Sequence, residues 1–467
     1  MEREEGVIMN KNDFTKNKYC FGLGTVGRDM LYSLVSMYLL FYLTEILDLP
    51  NSVMWWMTGI LTALRIFDAL NDPVMGLLVD NTKSRYGKFK PWIGIGALLS
   101  GIFTVLMFTD FNLSGATYII TFTFIYLIWD IVYGANDIAY WSMLPSLTID
   151  MKQREKMGAF AKICANIGMF TIVVSILPIT SKLGSIFNNA KTGWFVFALA
   201  IAVLLIAFQC ITLFGVKETK GFFKEEDKTT LKDMFSVIFK NDQLLYTAVS
   251  MALFMIGYCT TTGFGVYFFK YAFRNEAMYS IFAAILGVSQ IAALAVFPLF
   301  SKRFDRKQLY TAATFLVLCG YIIFFVSPMN MIPIGISGVL IFVGQAFIQL
   351  LMLMFLTDTI EYGQWKFGKR NESITLSIQP FINKIGGALS SGIIGVTVIL
   401  SGINEAVTPD DVTNSGLMIM KTSMLVLPLI FIIAGYLIYL VKFKIDKELF
   451  DKIVSDLKQR GDIKDNI

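Results

Sequence analysis

Histidine is absent from this chain of 467 residues, and only 16% of the residues are charged. Without imidazole there is no His-based acid or base, no His metal ligand and no His proton relay. Cysteine is scarce. The five cysteines, Cys20, Cys164, Cys210, Cys259 and Cys319, fall in or beside apolar stretches with neither metal-ligand spacing nor a disulfide framework. No GxxxxGK[ST] phosphate loop, no GxSxG turn and no CxxC pair occurs, which argues against an ATP-driven pump and against an enzyme of any common class. No cofactor is expected. The N-terminal MEREEGVIMNKNDF is polar and does not read as a cleaved signal peptide.

Apolar residues are abundant instead. They make up 55% of the chain, aromatics 14%, and the mean hydropathy is +0.62. That is too apolar for a single soluble domain of this length. A spanning helix needs about 20 apolar residues, and twelve such segments are readable, near 19–44, 53–79, 90–109, 116–146, 158–180, 193–215, 244–271, 277–300, 309–327, 331–357, 374–402 and 417–441. The expected fold is an all-α membrane protein of twelve transmembrane helices in two six-helix bundles.

The net charge of +5 is no nucleic-acid signal, because Lys and Arg collect in alternate loops. Lys83, Arg85, Lys88 and Lys90 follow span two. Lys152, Arg154 and Lys156 follow span four, five lysines from Lys217 to Lys232 follow span six, Lys302, Arg303, Arg306 and Lys307 follow span eight, and Lys366, Lys369 and Arg370 follow span ten. The opposite turns near Asp48, Asp110, Asn330 and Asp410 are poor in base, with Lys182, Lys191, Lys270 and Arg274 as exceptions. By the positive-inside rule both termini are expected on the cytoplasmic side of a multi-pass plasma-membrane protein.

The longest charged interval, 216–243, divides the spans six and six. The expected organisation is a cytoplasmic N-terminal segment (1–18), an N-terminal bundle (19–215), a central cytoplasmic loop (216–243), a C-terminal bundle (244–441) and a cytoplasmic tail (442–467). GLLVDNTKSRYGKFK after span two and FPLFSKRFDRKQLY after span eight echo each other, as in transporters built from repeated halves around a midplane site.

Charges inside the spans are expensive and mark pathways or partners. Span two carries Arg65, Asp68 and Asp72 at i, i+3 and i+7, on one helical face beside Asn71. Two carboxylates a turn apart make an oxygen-rich pocket for a small cation or a proton, since either relieves their repulsion; the plainer reading is an Arg65–Asp68 ion pair. Span one carries Arg28 and Asp29. Adjacent side chains project about 100° apart, so these two are not expected simply to pair with each other, and Asp29 is offered to ligand hydroxyls, with a self-satisfied Arg28–Asp29 interfacial pair as the alternative. Span four sets Tyr133, Asp137 and Trp141 at four-residue spacing, a carboxylate between two aromatics that suits a sugar, with plain aromatic packing as the alternative. Asp130, earlier on the same span, is read as structural. Lys162 in span five either snorkels to the interface or neutralises Asp137. Lys384 in span eleven lies too deep to snorkel and reads as the only clear membrane charge of the second half, functional or in a structural salt bridge.

These residues resemble one family closely: the glycoside–pentoside–hexuronide:cation symporters of the major facilitator superfamily, typified by the bacterial melibiose permease. The similarity runs from about Tyr19 to the last span, through FGLGTVGRD, RIFDALNDPVMG with KSRYGKFKPW, NDIAYWSMLP, and TDTIEYGQWKFGKRNESI followed by Lys384. The resemblance implies the major facilitator fold and inward symport of a glycoside with Na⁺ or H⁺ by alternating access. It places a cation site at Asp68, Asn71 and Asp72, and a sugar site at Asp29, Asp137 and Trp141 with Arg28, Tyr133 and Lys162. It sets Lys384 between the two. Two positions depart from the family's pattern: Lys162 stands where an arginine is usual, and Gly134 where a hydroxyl residue contributes to the sodium site. A proton needs no such cage. The partners expected are the solute, the coupling ion and the bilayer, with the protein monomeric. Transport of a lipid or another organic solute, uncoupled sugar facilitation and a non-transporting membrane sensor are the alternatives.

Overall fold

The computed structural model describes residues 11–47, 49–217, 239–275, 277–403, 406 and 408–463. Most of the expected N-terminal segment and central loop therefore lies outside the described residues, as does the side chain of Arg65. The described chain is helical throughout, with long helices α1 (Lys11–Phe41), α2 (Asn51–Asp80), α3 (Lys90–Met107), α4 (Gly115–Leu147), α5 (Met151–Ile186), α6 (Ala190–Gly215), α7 (Asp242–Tyr267), α8 (Ala277–Phe300), α9 (Arg306–Val326), α10 (Met331–Phe367), α11 (Glu372–Leu400) and α12 (Asn414–Lys442), then a short α13 (Lys447–Gln459). Among the described residues, α3 to α12 supply ten spans long and apolar enough to cross a membrane. The other two, α1 and α2, run for 31 and 30 residues and carry Arg28, Asp29, Asp68 and Asp72 among their charges.

Two compact units divide the chain: Met1–Met234 with Asn371–Ser377 and Leu457–Ile467, and Phe235–Arg370 with Ile378–Asp456. In the first, α1 packs on α5 and α6, α3 on α4 and α6, and α2 on α4. Close approach needs small residues where lipid gives helices no hydrophobic reason to associate. Gly27 of α1 is one: a Cβ there would come within 2.7 Å of the Leu205 backbone on α6. The core gathers Leu34, Tyr42, Trp129, Ile172, Trp194 and Leu205. The first turn of α11 also belongs here, because Asp80 at the end of α2 accepts from the backbone N–H groups of Ser373 (3.1 Å) and Ile374 (2.9 Å). A carboxylate is the natural partner for such an end, and Lys88 lies 2.6 Å from Asp80.

In the second unit α9 packs on α10 and α12, and α7 on α12 and α10. Tyr310, Phe355 and Tyr439 are buried against one another, the last two with ring centroids 4.5 Å apart. Two ion pairs are buried in this unit, Arg306–Asp358 and Arg370–Glu361, the latter at 3.1 Å. Both acids lie on α10, which runs ten residues past the expected end of span ten at 357, to Phe367. Their charge lowers local hydropathy, and their arginine partners hold the helix together through that stretch. The tail helix α13 buries Phe450 and Ile453, and the indole N–H of Trp365 donates to Asp456 at 2.9 Å.

The duplication expected from the loops has a second signature. The first helix of each unit ends in one π-helical turn, Tyr42–Ile46 after α1 and Phe268–Ala272 after α7. The closing bonds match as well, Leu47 N–H to Tyr42 O and Phe273 N–H to Phe268 O, both at 2.9 Å.

Candidate functional site

Four helices of the first unit are drawn together by side chains that bond to backbone. The Tyr140 hydroxyl on α4 donates to Phe21 O on α1. Thr25 on α1 donates to Ala161 O on α5 at 2.9 Å, and Gln209 on α6 donates to Gly24 O at 2.9 Å. Gly24 allows the approach, since a Cβ there would sit 2.5 Å from the Tyr140 hydroxyl. The GLGTVG run is thus a helix-packing surface.

Immediately beyond it Arg28 is buried, with 2% of its side chain exposed, between two carboxylates: 2.9 Å from Asp137 and 3.1 Å from Asp29. The expectation that Arg28 and Asp29 do not pair is corrected. The Cβ directions do diverge, but the guanidinium is long and flat enough to reach back to Asp29 with one nitrogen while the other meets Asp137 on α4. The same guanidinium lies 4.8 Å from the Tyr140 ring centroid and 5.2 Å from that of Trp141. Its Nε is buried with no hydrogen-bond partner among the described residues.

Lys162 on α5 faces this cluster rather than the interface. Its ammonium sits 4.7 Å over the Trp141 ring, and it interacts electrostatically with Asp29 and Asp137. The direct partner of Asp137 is nevertheless Arg28, not Lys162. The four-residue spacing on α4 therefore delivers three different surroundings. Asp137 holds the arginine, Trp141 meets two cations, and Tyr133 lies in an aromatic column between Trp129 (centroids 5.2 Å apart) and Tyr32 (5.4 Å). Tyr140 and Tyr32 were not expected here: Tyr140 falls off the four-residue stripe, and Tyr32 belongs to another helix.

A second constellation lies on the α2–α4 contact. Asp72 is 1% exposed, whereas Asp68 and Asn71 are half-buried. A Cβ added to Gly134 would meet Asp72 Oδ1 at 3.8 Å, an ordinary contact. Met75 of α2 packs with Ala135 and Ile138 of α4 beside it. A proton on Asp72, or a cation taking oxygens from Asp68, Asn71 and Asp72, is what this donor set can hold. Among the described residues no cluster of three or more His, Cys, Asp or Glu side chains is found. Gly134 and Asp137 are less than one turn apart on α4, so a single helical segment serves both constellations. Lys384 is a half-buried residue of the second unit, near the middle of α11.

Residues 20–447 match the family described as MFS/sugar transport protein. The chain belongs to that family. It is a membrane transporter of the major facilitator superfamily, not an enzyme. The chain is 32% identical to the lactose permease of Lactobacillus delbrueckii subsp. bulgaricus over 454 residues, covering 95% of this chain and 72% of the relative. It is also 32% identical to the raffinose carrier protein of Pediococcus pentosaceus over 460 residues, covering 94% and 71%. The fold is similar to that of FucP, a major facilitator transporter solved in its outward conformation, with TM-score 0.63 at 11% identity over 90% of this chain and 98% of that one.

Proposed function

We propose that this sugar-family transporter is a proton-coupled symporter that carries an uncharged glycoside into the cell by alternating access. The observation that carries the reading is the buried Arg28 held between Asp29 and Asp137. A solitary ion pair is a poor way to stabilise a helix bundle, because desolvation offsets its attraction. One with an open Nε donor, acids still about a quarter exposed and an indole beside it is set up to exchange its contacts for sugar hydroxyls. The local charge supports a neutral solute: Asp29 and Asp137 balance Arg28 and Lys162. Similarity to a lactose permease and a raffinose carrier points to a galactose-containing oligosaccharide.

Proton rather than sodium coupling is favoured by Gly134. No side-chain oxygen stands there beside Asp72, and a proton needs only the carboxylate. In this reading protonation of Asp72, with Asp68 and Asn71 near it, settles the α2–α4 contact, and α4 passes the change to Asp137. Each ligand then raises affinity for the other, since coupling is reciprocal. Both termini lie in the cytoplasm of a plasma-membrane monomer.

The test is uptake in energy-depleted vesicles with imposed proton and sodium gradients, over a panel of galactosides, xylosides and glucuronides. Accumulation of a galactoside under the proton gradient alone is expected, with no competition from the glucuronide. Sodium-driven accumulation would overturn the choice of ion, and equilibration without accumulation would identify an uncoupled facilitator.

A further inference from the structure

The second unit carries a membrane charge that its apolar surroundings had hidden. Lys421 lies inside α12, so Lys384 is not the only such charge of the second half. Lys421 is half-buried, and its ammonium sits 5.2 Å over the ring of Phe325 on α9. Among the described residues it makes no ion pair. Among the described residues, the two acids that precede α12 are engaged elsewhere. Asp410 pairs with Arg274 at 2.9 Å, and Asp411 accepts from the backbone N–H and hydroxyl of Thr408. An aromatic face attracts a cation without neutralising it.

Below Lys421 an apolar cleft of about 150 Å³ runs between α9 and α12, lined by Tyr321, Ile322, Phe325 and Val326 on one side and Leu425, Val426 and Leu429 on the other. Tyr321 is anchored inward by its hydroxyl on Thr261 at 2.5 Å. Ile322 and Val326 are 51% and 73% exposed, so the cleft is open toward the bilayer. Phe325 is the last residue but one of α9, which puts the cation at the end of the hydrocarbon span, within snorkelling reach of the interface. An apolar trough whose interfacial end holds a cation with no ion pair among the described residues has the outline of one amphiphile.

We propose that this cleft binds one anionic phospholipid, with an acyl chain along Ile322, Val326 and Val426 and the phosphate at Lys421. A phosphatidylcholine carries its own cation and would leave the Lys421 charge unmatched, whereas phosphatidylglycerol neutralises it. The site is independent of the sugar cluster, and its test does not depend on transport.

Native mass spectrometry of the full-length chain, titrated with phosphatidylglycerol or phosphatidylcholine, provides that test. The wild type should retain one phosphatidylglycerol with about tenfold preference. Lys421→Gln should remove the preference, Lys421→Arg should keep it, and Val426→Trp, which fills the cleft, should release the retained lipid of either kind. Equal retention of the two lipids by the wild type overturns the proposal without any variant. So does a preference that survives Lys421→Gln, or a lipid that stays bound in Val426→Trp.

Discussion

Taking the guanidinium away from position 28 leaves Asp29 and Asp137 close together in an apolar surround, with Lys162 as their nearest remaining cation. Arg28→Met should therefore destabilise the protein by about 3–5 kcal/mol, the usual consequence of breaking a buried pair from one side, read as a lowered thermal midpoint in detergent. Arg28→Lys is the sharper experiment. A point charge cannot span both carboxylates as the planar fork does, so the fold should survive while sugar affinity falls by tenfold or more. Asp137→Asn keeps the shape and loses the charge. Hydrogen bonds to charged groups contribute about 1.5–3 kcal/mol, so glycoside affinity should fall roughly 10- to 150-fold in equilibrium binding. Unchanged affinity in both variants would remove the sugar site. Gly134→Ser asks about the other constellation. The 3.8 Å of room beside Asp72 admits the new side chain, and its hydroxyl adds an oxygen ligand. Sodium stimulation of galactoside uptake should appear where the wild type shows none.

Single ties between elements can be tested the same way. Asp110, in the turn before α4, accepts from Lys191 on the first turn of α6 at 2.6 Å, and that bond holds its carboxyl below the usual carboxylate range. A depressed carboxylate contributes stability above its unfolded pKa and loses it as the pH falls through the folded one. Thermal stability of the wild type should therefore drop below about pH 4 more than that of Asp110→Asn, by a small margin because the pair is partly open to solvent and screened by salt. Most elements are written in hydropathy. The spans α3 to α9 are long apolar runs bounded by bases, caps or proline, and all but α5 stand within a few residues of where those signals put them; α5 starts seven residues before and ends six beyond its expected span of 158–180. What hydropathy misses is polarity satisfied by a partner on another helix. Asp358 and Glu361 look like a loop until Arg306 and Arg370 are beside them, so α10 is longer than its apolar run. Lys421 is overlooked because a lone lysine barely dents a strongly apolar window. The site divides in the same way. Helical period puts Asp137 and Trp141 in one region, but the choice of Arg28 as the partner of Asp137 is made across two helices, and no periodicity within one of them encodes it.

At the scale of the molecule, two units each begin with a helix closing in a π-turn, a likeness that joins the weak echo in the loops. Transporters made of repeated halves work by letting one half rock against the other about a fixed site. In such a device coupling is a matter of which loaded states can reorient. An unprotonated Asp72 is a buried charge, costly to carry through the change, and protonation removes that cost. Asp72→Asn mimics the protonated state permanently. It should still bind glycoside and exchange labelled for unlabelled sugar across the membrane, because exchange needs no net proton movement. Uphill accumulation should vanish, because no proton is picked up or released. The contrast is quantitative. With one proton per sugar, a gradient of one pH unit supports at most about tenfold accumulation, equivalent to about 1.4 kcal/mol. The wild type should approach that ratio in proteoliposomes, and Asp72→Asn should equilibrate at a ratio of one with exchange intact. Full accumulation by the variant would remove Asp72 from coupling, and loss of exchange together with accumulation would make its role structural.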